Sequence, residues 1–300
     1  MAPSLYRVDP ALKPGLYVVS TPIGNLRDVT LRALDILASV DFVCAEDTRV
    51  AGKLLAAYGL SARVRPYHDH NGARARPGIL DELEAGRRVA LMSDAGTPLI
   101  SDPGFKLVRE VARRGVSVFA VPGASAPMAA LTVAGLPTDR FLFAGFPPPR
   151  RAARIRFFEE LRTAASTLIF FEGPSRLADS LADMASVFGD REAAVARELT
   201  KLFEEVRRMP LPELAAAYAL EAPPRGELVV LVGPPVGAET DAGGLDAALQ
   251  LADPARPMKE VAAEIAGELG LRRRDVYERA LELRAKERGE ASGAGDDQGD

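Results

Sequence analysis

Short continuous apolar runs alternate with longer amphipathic segments from Leu16 to Ala134, and this rhythm constrains the fold more than any other feature of the chain. Runs at 16–19, 42–45, 63–67, 89–92 and 116–121 read as strands. Segments at 31–40, 50–58, 79–85, 105–113 and 124–134 read as helices. Strands that are apolar throughout are buried on both faces, which is the pattern of a parallel sheet covered by helices. After Gly135-Leu136-Pro137-Thr138 the rhythm restarts at 141–144 and continues with strands near 167–171, 193–197, 204–209 and 227–232, a second α/β unit. The Gly- and Pro-rich stretch from Gly233 to Gly244 reads as a linker. Helices at 258–269 and 273–284, separated by Gly270-Leu271, have the spacing of a helix-turn-helix.

The expected organisation is α/β: an N-terminal tail (1–14), one α/β lobe (15–137), a second (138–233), a linker (234–244), a small helical module (245–286) and an acidic tail (287–300). The tail has no apolar periodicity and is expected to be disordered. Cys44 is the single cysteine and lies within Phe42-Val43-Cys44-Ala45, so no disulfide framework exists and a reducing cytoplasm is the natural setting. Residues 1–14 contain no apolar signal core, and no stretch approaches the roughly 18 apolar residues of a spanning helix, so neither secretion nor a membrane is expected. A net charge of −4 argues against a chain coated in nucleic acid and directs attention to local basic clusters. One comprises Arg150, Arg151, Arg154 and Arg156. Another, Arg272, Arg273 and Arg274, opens the last helix, where cations oppose the macrodipole and make sense facing phosphate.

In open parallel sheets ligands bind beyond the carboxyl ends of the strands. Five polar clusters fall at those ends: Ser20-Thr21-Pro22-Ile23-Gly24-Asn25-Leu26, Glu46-Asp47-Thr48-Arg49, His68-Asp69-His70-Asn71, Ser93 to Gly104 (SDAGTPLISDPG) and Pro122-Gly123-Ala124-Ser125. A helix cap or turn explains any one of them; five on one edge are better explained by a shared cleft. Within the fourth, Ser101-Asp102-Pro103-Gly104 has the cap-then-proline order that starts a helix at Phe105. The chain lacks G-x-G-x-x-G, G-x-x-x-x-G-K-[ST] and G-x-S-x-G, the fingerprints of dinucleotide folds, phosphate-loop NTPases and α/β-hydrolases. His68 and His70, with Glu46 and Asp47 on a neighbouring loop, are the alternative of a metal-dependent hydrolase. They are the chain's two histidines, without a third His or Cys in support.

The ordered motifs TPIGNLRD, EDTR, HDHN, SDAGTPLISDPG, PGASA, FFEGPSR and ARELTK resemble the ribosomal RNA small subunit methyltransferase I family of the tetrapyrrole methylase superfamily, over nearly the whole chain from Gly15 to about Leu283. Asp69 stands where Glu is more usual, and Gly72 where an acidic residue often follows. The resemblance implies two α/β/α lobes with S-adenosyl-L-methionine in the cleft between them, a homodimer, and methylation of a cytidine ribose 2′-hydroxyl in the decoding region of 16S rRNA within the small ribosomal subunit. The implied donor site comprises Pro22, Gly24, Asp94, Gly96, Thr97, Pro98, Ile100, Ser125, Ala126, Phe171 and Glu172. No metal is implied. Gly24 and Gly96 would admit ligand close to backbone, and Pro98 would stiffen its loop.

Proton removal from the attacking hydroxyl has candidates in Glu46, Asp47 and Lys201. Lys201 needs a depressed pKa for that task, while Glu46, Asp47 and Arg49 read equally well as an ion-paired loop. RNA contacts are expected at Arg150, Arg151, Arg154, Arg272, Arg273 and Arg274. A tetrapyrrole-precursor methylase is the nearest alternative function, and a nucleic-acid-binding module without catalysis is a more distant one; the helical module and its arginines favour RNA over a small molecule.

Overall fold

The computed structural model describes residues 5–68, 70–101, 103–235, 242–253, 256–269 and 273–293. The chain divides into two compact units, 1–234 and 235–300.

The first half of the larger unit runs β1 (Gly15–Val19), α1 (Leu31–Ser39), β2 (Phe42–Ala45), α2 (Thr48–Ala57), β3 (Val64–Pro66), α3 (Gly72–Glu84), β4 (Arg88–Met92), α4 (Phe105–Arg113) and β5 (Val118–Val121). Its strands form one parallel sheet in the order β3-β2-β4-β1-β5. Successive side chains of a strand point to opposite faces. Tyr17, Val19, Val43, Ala45, Ala90 and Met92 pack under α1 and α2, whereas Leu16, Phe42, Cys44, Val89 and Leu91 pack under α3 and α4. Both faces are covered, which is why the strands are apolar throughout. Cys44 is a core thiol, and burial pushes its pKa up to about 12. Thr30 caps α1 by accepting the Ala33 N–H at 3.1 Å. Helix α3 starts at Gly72, ahead of the expected 79, and passes through Pro77.

After α5 (Ala126–Ala134) come β6 (Phe141–Gly145), α6 (Arg151–Leu161), β7 (Thr167–Glu172), α7 (Leu177–Phe188), β8 (Glu192–Arg197), β9 (Glu205–Pro210), α8 (Leu211–Leu220) and β10 (Leu228–Val232). The second sheet has the order β6-β7-β10-β8-β9. Only β6 and β7 pair in parallel; the other neighbours are antiparallel. Burial on both faces sets the apolar pattern, so continuous runs occur here without parallel pairing. Leu168, Phe170, Val195 and Val230 pack under α6, α7 and α8. On the opposite face, Ile169, Ala194, Ala196, Val229 and Leu231 meet Ala130, Leu131 and Ala134 of α5. Helix α5 follows the last strand of the first sheet yet covers the second, and so ties the two lobes together.

The smaller unit contains α9 (Ala242–Leu251), α10 (Met258–Leu269) and α11 (Arg273–Gly293), around a core that includes Leu245, Val261, Ile265 and Val276. Helix α9 occupies sequence expected to end a linker and open the module, and α11 continues into 287–293, read from composition as tail. Among the described residues no helix is long and apolar enough to cross a membrane.

Candidate functional site

A cavity of about 370 Å³ opens where the carboxyl ends of β1, β4 and β5 face the second sheet. Its loops are tied to one another by hydrogen bonds. Thr21 and Gly96 form an isolated antiparallel bridge, with Thr21 N–H donating to Gly96 O at 2.8 Å and Gly96 N–H to Thr21 O at 3.1 Å. The buried Ser93 hydroxyl donates to Gly96 O at 2.9 Å. The Thr97 hydroxyl donates to Ala124 O at 3.0 Å and accepts from the Ser20 hydroxyl at 3.2 Å. The segment between Gly96 and α4 is strained: Leu99 and Ser101 hold positive φ of 72° and 62° without being glycine, a conformation that costs on the order of 1–3 kcal/mol per residue and concentrates at functional sites. Helix α4 does start at Phe105, but its cap is Gly104, with φ 135° and no side-chain capping bond. The expected capping residue, Asp102, lies outside the described residues.

Of the residues expected at the donor site, Gly96, Thr97, Ile100, Ser125, Ala126, Phe171 and Glu172 line this cavity. Pro22, Gly24, Asp94 and Pro98 do not. Asp94 accepts the Asp47 backbone N–H at 3.1 Å, joining the loops after β4 and β2. At Gly24 (φ 152°) the close neighbour is the stem of Lys201: a Cβ there would stand 2.5 Å from the lysine Cε. Glycine at this position therefore lets a side chain from the second lobe lie across the first.

The Lys201 ammonium donates to Glu198 Oε1 at 2.8 Å and to Glu227 Oε2 at 3.1 Å. Partial burial pulls its pKa down, but hydrogen bonds to these two carboxylates outweigh that and leave it above the ordinary lysine value. This is opposite to the depressed pKa that general-base action requires. The loop bearing it, between β8 and β9, holds Glu198 and Thr200 at positive φ of 50° and 67°. The Lys201 bond in turn lowers the pKa of Glu198. Gly226 (φ 100°) completes the cluster, because a Cβ there would fall 2.3 Å from Glu198 Oε1.

Asp47 caps α2 by accepting the Arg49 N–H at 2.8 Å and pairs with the Arg49 guanidinium at 2.6 Å. That pairing holds its carboxyl far below the usual carboxylate range. The ion-paired loop is thus the arrangement found around Asp47, with Glu46 exposed beside it. Neither lines the cavity, and nor do His68 and His70: in the order β3-β2-β4-β1-β5 their loops follow the two strands on the far side of β4. The sequence-based cleft of five loops becomes a cavity lined by three of them and by the second lobe. The His68 N–H donates to Asn71 Oδ1 at 2.9 Å, and Asn71 reaches back to Pro66 O at 3.0 Å, closing the turn into α3. Among the described residues, no group of three His, Cys, Asp or Glu side chains could hold a metal.

The basic cluster at α6 divides. Arg154, expected at an RNA surface, is instead buried with a side chain only 5% exposed, and donates through Nε and Nη2 to Asp183 Oδ2 at 2.9 and 2.6 Å. It lies on the face of α6 that packs on the sheet, so it cannot reach a phosphate. Arg150 and Arg151 are exposed, although Arg151 also donates to Asp183 at 2.9 Å. Arg273 and Arg274 are exposed in the first turn of α11; the former donates to Lys259 O at 3.1 Å and the latter pairs with Glu278 at 2.8 Å. Arg272 lies outside the described residues.

Much of the wall contributed by the second lobe escapes sequence reasoning: Phe146, Ala196, Leu199, Gly226 and Glu227 all line the cavity. Ala196 and Leu199 lie within the ARELTK motif, whereas Phe146, Gly226 and Glu227 fall outside every quoted motif. Glu172 is held rigidly. Its buried carboxylate accepts the Gly173 N–H at 2.7 Å, takes the Ser180 hydroxyl, and pairs with Arg176 at 2.6 Å. Arg176 also donates to Pro147 O at 3.3 Å, which connects the cavity wall to the loop after β6.

Comparisons with known proteins match this architecture. Residues 15–215 match the family described as Tetrapyrrole (Corrin/Porphyrin) Methylases, and residues 239–284 match the RsmI C-terminal HTH domain. The chain therefore belongs to the tetrapyrrole methylases, a class of methyltransferases, and its solved structural relatives share the fold. Diphthine synthase aligns with TM-score 0.58 and 16% identity, covering 73% of this chain and 89% of that one. Cobalt precorrin-4 methyltransferase aligns with TM-score 0.54 and 19% identity, covering 73% and 94%. Within the class, the chain belongs to the family of proteins named ribosomal RNA small subunit methyltransferase I. The Mesorhizobium japonicum member is 48% identical across 95% of this chain and 96% of its own length. The Pseudomonas aeruginosa member is 45% identical across 90% and 98%.

Proposed function

We propose that the protein transfers a methyl group from S-adenosyl-L-methionine to the ribose 2′-hydroxyl of a cytidine in the decoding region of 16S rRNA, acting on the small ribosomal subunit as a cytoplasmic homodimer. The observation that carries the donor assignment is the cavity itself. At about 370 Å³ it lies within the range of ligand sites. The Ser125 hydroxyl makes no capping bond at the start of α5, so it and the first N–H groups of the helix are available to an anionic ligand group such as an amino-acid carboxylate. Ile23, Leu199 and Val229 provide apolar wall, and the lining glycines Gly96 and Gly226 leave room for the Ile23 and Glu198 side chains that border it. These features suit S-adenosyl-L-methionine, which supplies an already activated methyl carbon when bound. The RNA assignment is supported by 42–48% identity to relatives bearing the rRNA methyltransferase name and by the helical module.

The chain's own work is then alignment and proton transfer. Loops held by Thr21, Ser93 and Thr97 would keep the donor fixed relative to the second lobe, the kind of positioning that contributes about 7–11 kcal/mol to a displacement. Of the three proton-acceptor candidates, Asp47 is engaged by Arg49, Lys201 stays protonated, and Glu46 lies off the cavity. A raised lysine pKa means that the charged form's stabilisation is complete below the ordinary lysine value and is lost only as pH rises through the higher folded value. Lys201→Arg should therefore leave the pH profile of single-turnover transfer unchanged. Disappearance of an ionisation from the Lys201→Arg profile would reverse the assignment.

The direct test supplies labelled donor and small subunits lacking the modification, then maps the methylated ribose. Label on a cytidine 2′-oxygen in the decoding region is the expected result. Transfer to no RNA would refute the function, and transfer to a tetrapyrrole precursor would establish the alternative.

A further inference from the structure

We infer that Phe146 is the platform on which the base of the target nucleotide stacks, and that residues 145–151 form the RNA-facing rim of the cavity; this deepens the RNA-methylation reading and rests on it. Phe146 is 57% exposed although it lines the cavity. An aromatic ring of this size is normally buried. It is not loosely placed: the Phe171 ring, part of the same cavity wall, supports it at 5.2 Å between centroids, and Phe143 supports Phe171 in turn at 5.0 Å. The exposed ring is thus backed by an aromatic stack and presented at the cavity mouth.

The loop is built to hold that position. Gly145 adopts φ 70° to turn the chain out of β6. Pro147, Pro148 and Pro149 follow, each with its φ constrained by the ring. Pro147 is buried, and its carbonyl accepts from Arg176, which is fixed by the buried Glu172. Immediately after the prolines, exposed Arg150 and Arg151 start α6. A rigid aromatic followed within a few residues by exposed guanidinium groups is the combination that binds a splayed nucleotide, with the base stacking on the ring and the cations meeting backbone phosphate. A ribose within a helix would also have to be drawn out of its stack to reach the cavity, and an exposed ring replaces the stacking that is lost.

The test uses the full chain and small subunits lacking the modification, with saturating labelled donor, and compares Phe146→Ala with Phe146→Trp. Loss of one base-stacking contact should raise the half-saturating subunit concentration by about 5- to 150-fold in Phe146→Ala. Donor affinity, measured calorimetrically without RNA, should be unchanged, and Phe146→Trp should restore subunit binding. The inference is overturned if Phe146→Ala leaves the subunit dependence unaltered, or if it weakens donor affinity to the same degree, which would place the ring in the donor site. Absence of RNA methylation by the unaltered chain would overturn the functional reading as well.

Discussion

Arg154→Ala is expected to lower folding stability by about 3–5 kcal/mol, because it leaves the Asp183 carboxylate buried without its main partner. The two side chains are only 5% and 4% exposed and share two short hydrogen bonds between α6 and α7. Arg151 touches the same carboxylate but its side chain is 75% exposed, so Arg151→Ala should cost no more than about 1 kcal/mol. The paired replacement Arg154→Met with Asp183→Leu should recover much of the loss, since a buried ion pair contributes little beyond what apolar packing of similar volume provides. Denaturant unfolding of the three variants measures all of this. If Arg154→Ala unfolds no more readily than Arg151→Ala, the pair is not the structural tie between the helices that its burial indicates.

Gly226→Ala should lower methyl transfer by about a hundredfold while costing far less in stability. The positive φ of 100° at this position makes alanine unfavourable by roughly 1–2 kcal/mol. The larger consequence is local. The new Cβ would stand 2.3 Å from Glu198 Oε1 and 2.5 Å from its Cγ, and a flexible side chain relieves such a clash by moving. Glu198 cannot move without releasing Lys201, whose stem crosses Gly24 and whose ammonium bridges Glu198 and Glu227. A shift of about 1 Å in groups bordering a reacting pair can cost about a hundredfold in rate. Single-turnover transfer and thermal unfolding, measured on the same preparation, separate the two effects. A rate loss no greater than that caused by alanine at Gly59, where φ is 68° and the Cβ would meet nothing within 4 Å, would reduce the Glu198–Lys201–Glu227 cluster to a surface ornament.

The parallel sheet of the first lobe was legible because its strands alternate with helices and are buried on both faces, so that 42–45 and 89–92 could be read almost to the residue. Loop chemistry after β1, β4 and β5 was legible for a related reason: Gly96, Thr97 and Ser125 carry the turn and cap signals that mark strand ends. Strand direction in the second lobe was not legible, since an apolar run reports burial and carries no sign of parallel or antiparallel pairing. Arg154 shows the same limit at a single side chain. As a letter among Arg150, Arg151 and Arg156 it reads as surface charge, and only the rotation of α6 turns it inward to Asp183.

By itself, then, the sequence determined the α/β order, the buried Cys44, the motif loops and their family, because propensity, periodicity and turn chemistry act over a few neighbouring residues. The tertiary structure decided which loops share a cavity, since the strand order places β4, β1 and β5 side by side and leaves Glu46 and His68 beyond them. It also decided that α5 covers the second sheet, that Phe146 stands exposed against Phe171, and that Lys201 lies across Gly24 with its proton retained. Each of these depends on contacts between segments distant in sequence, where packing and the field of neighbouring charges act and local patterns carry no record of them.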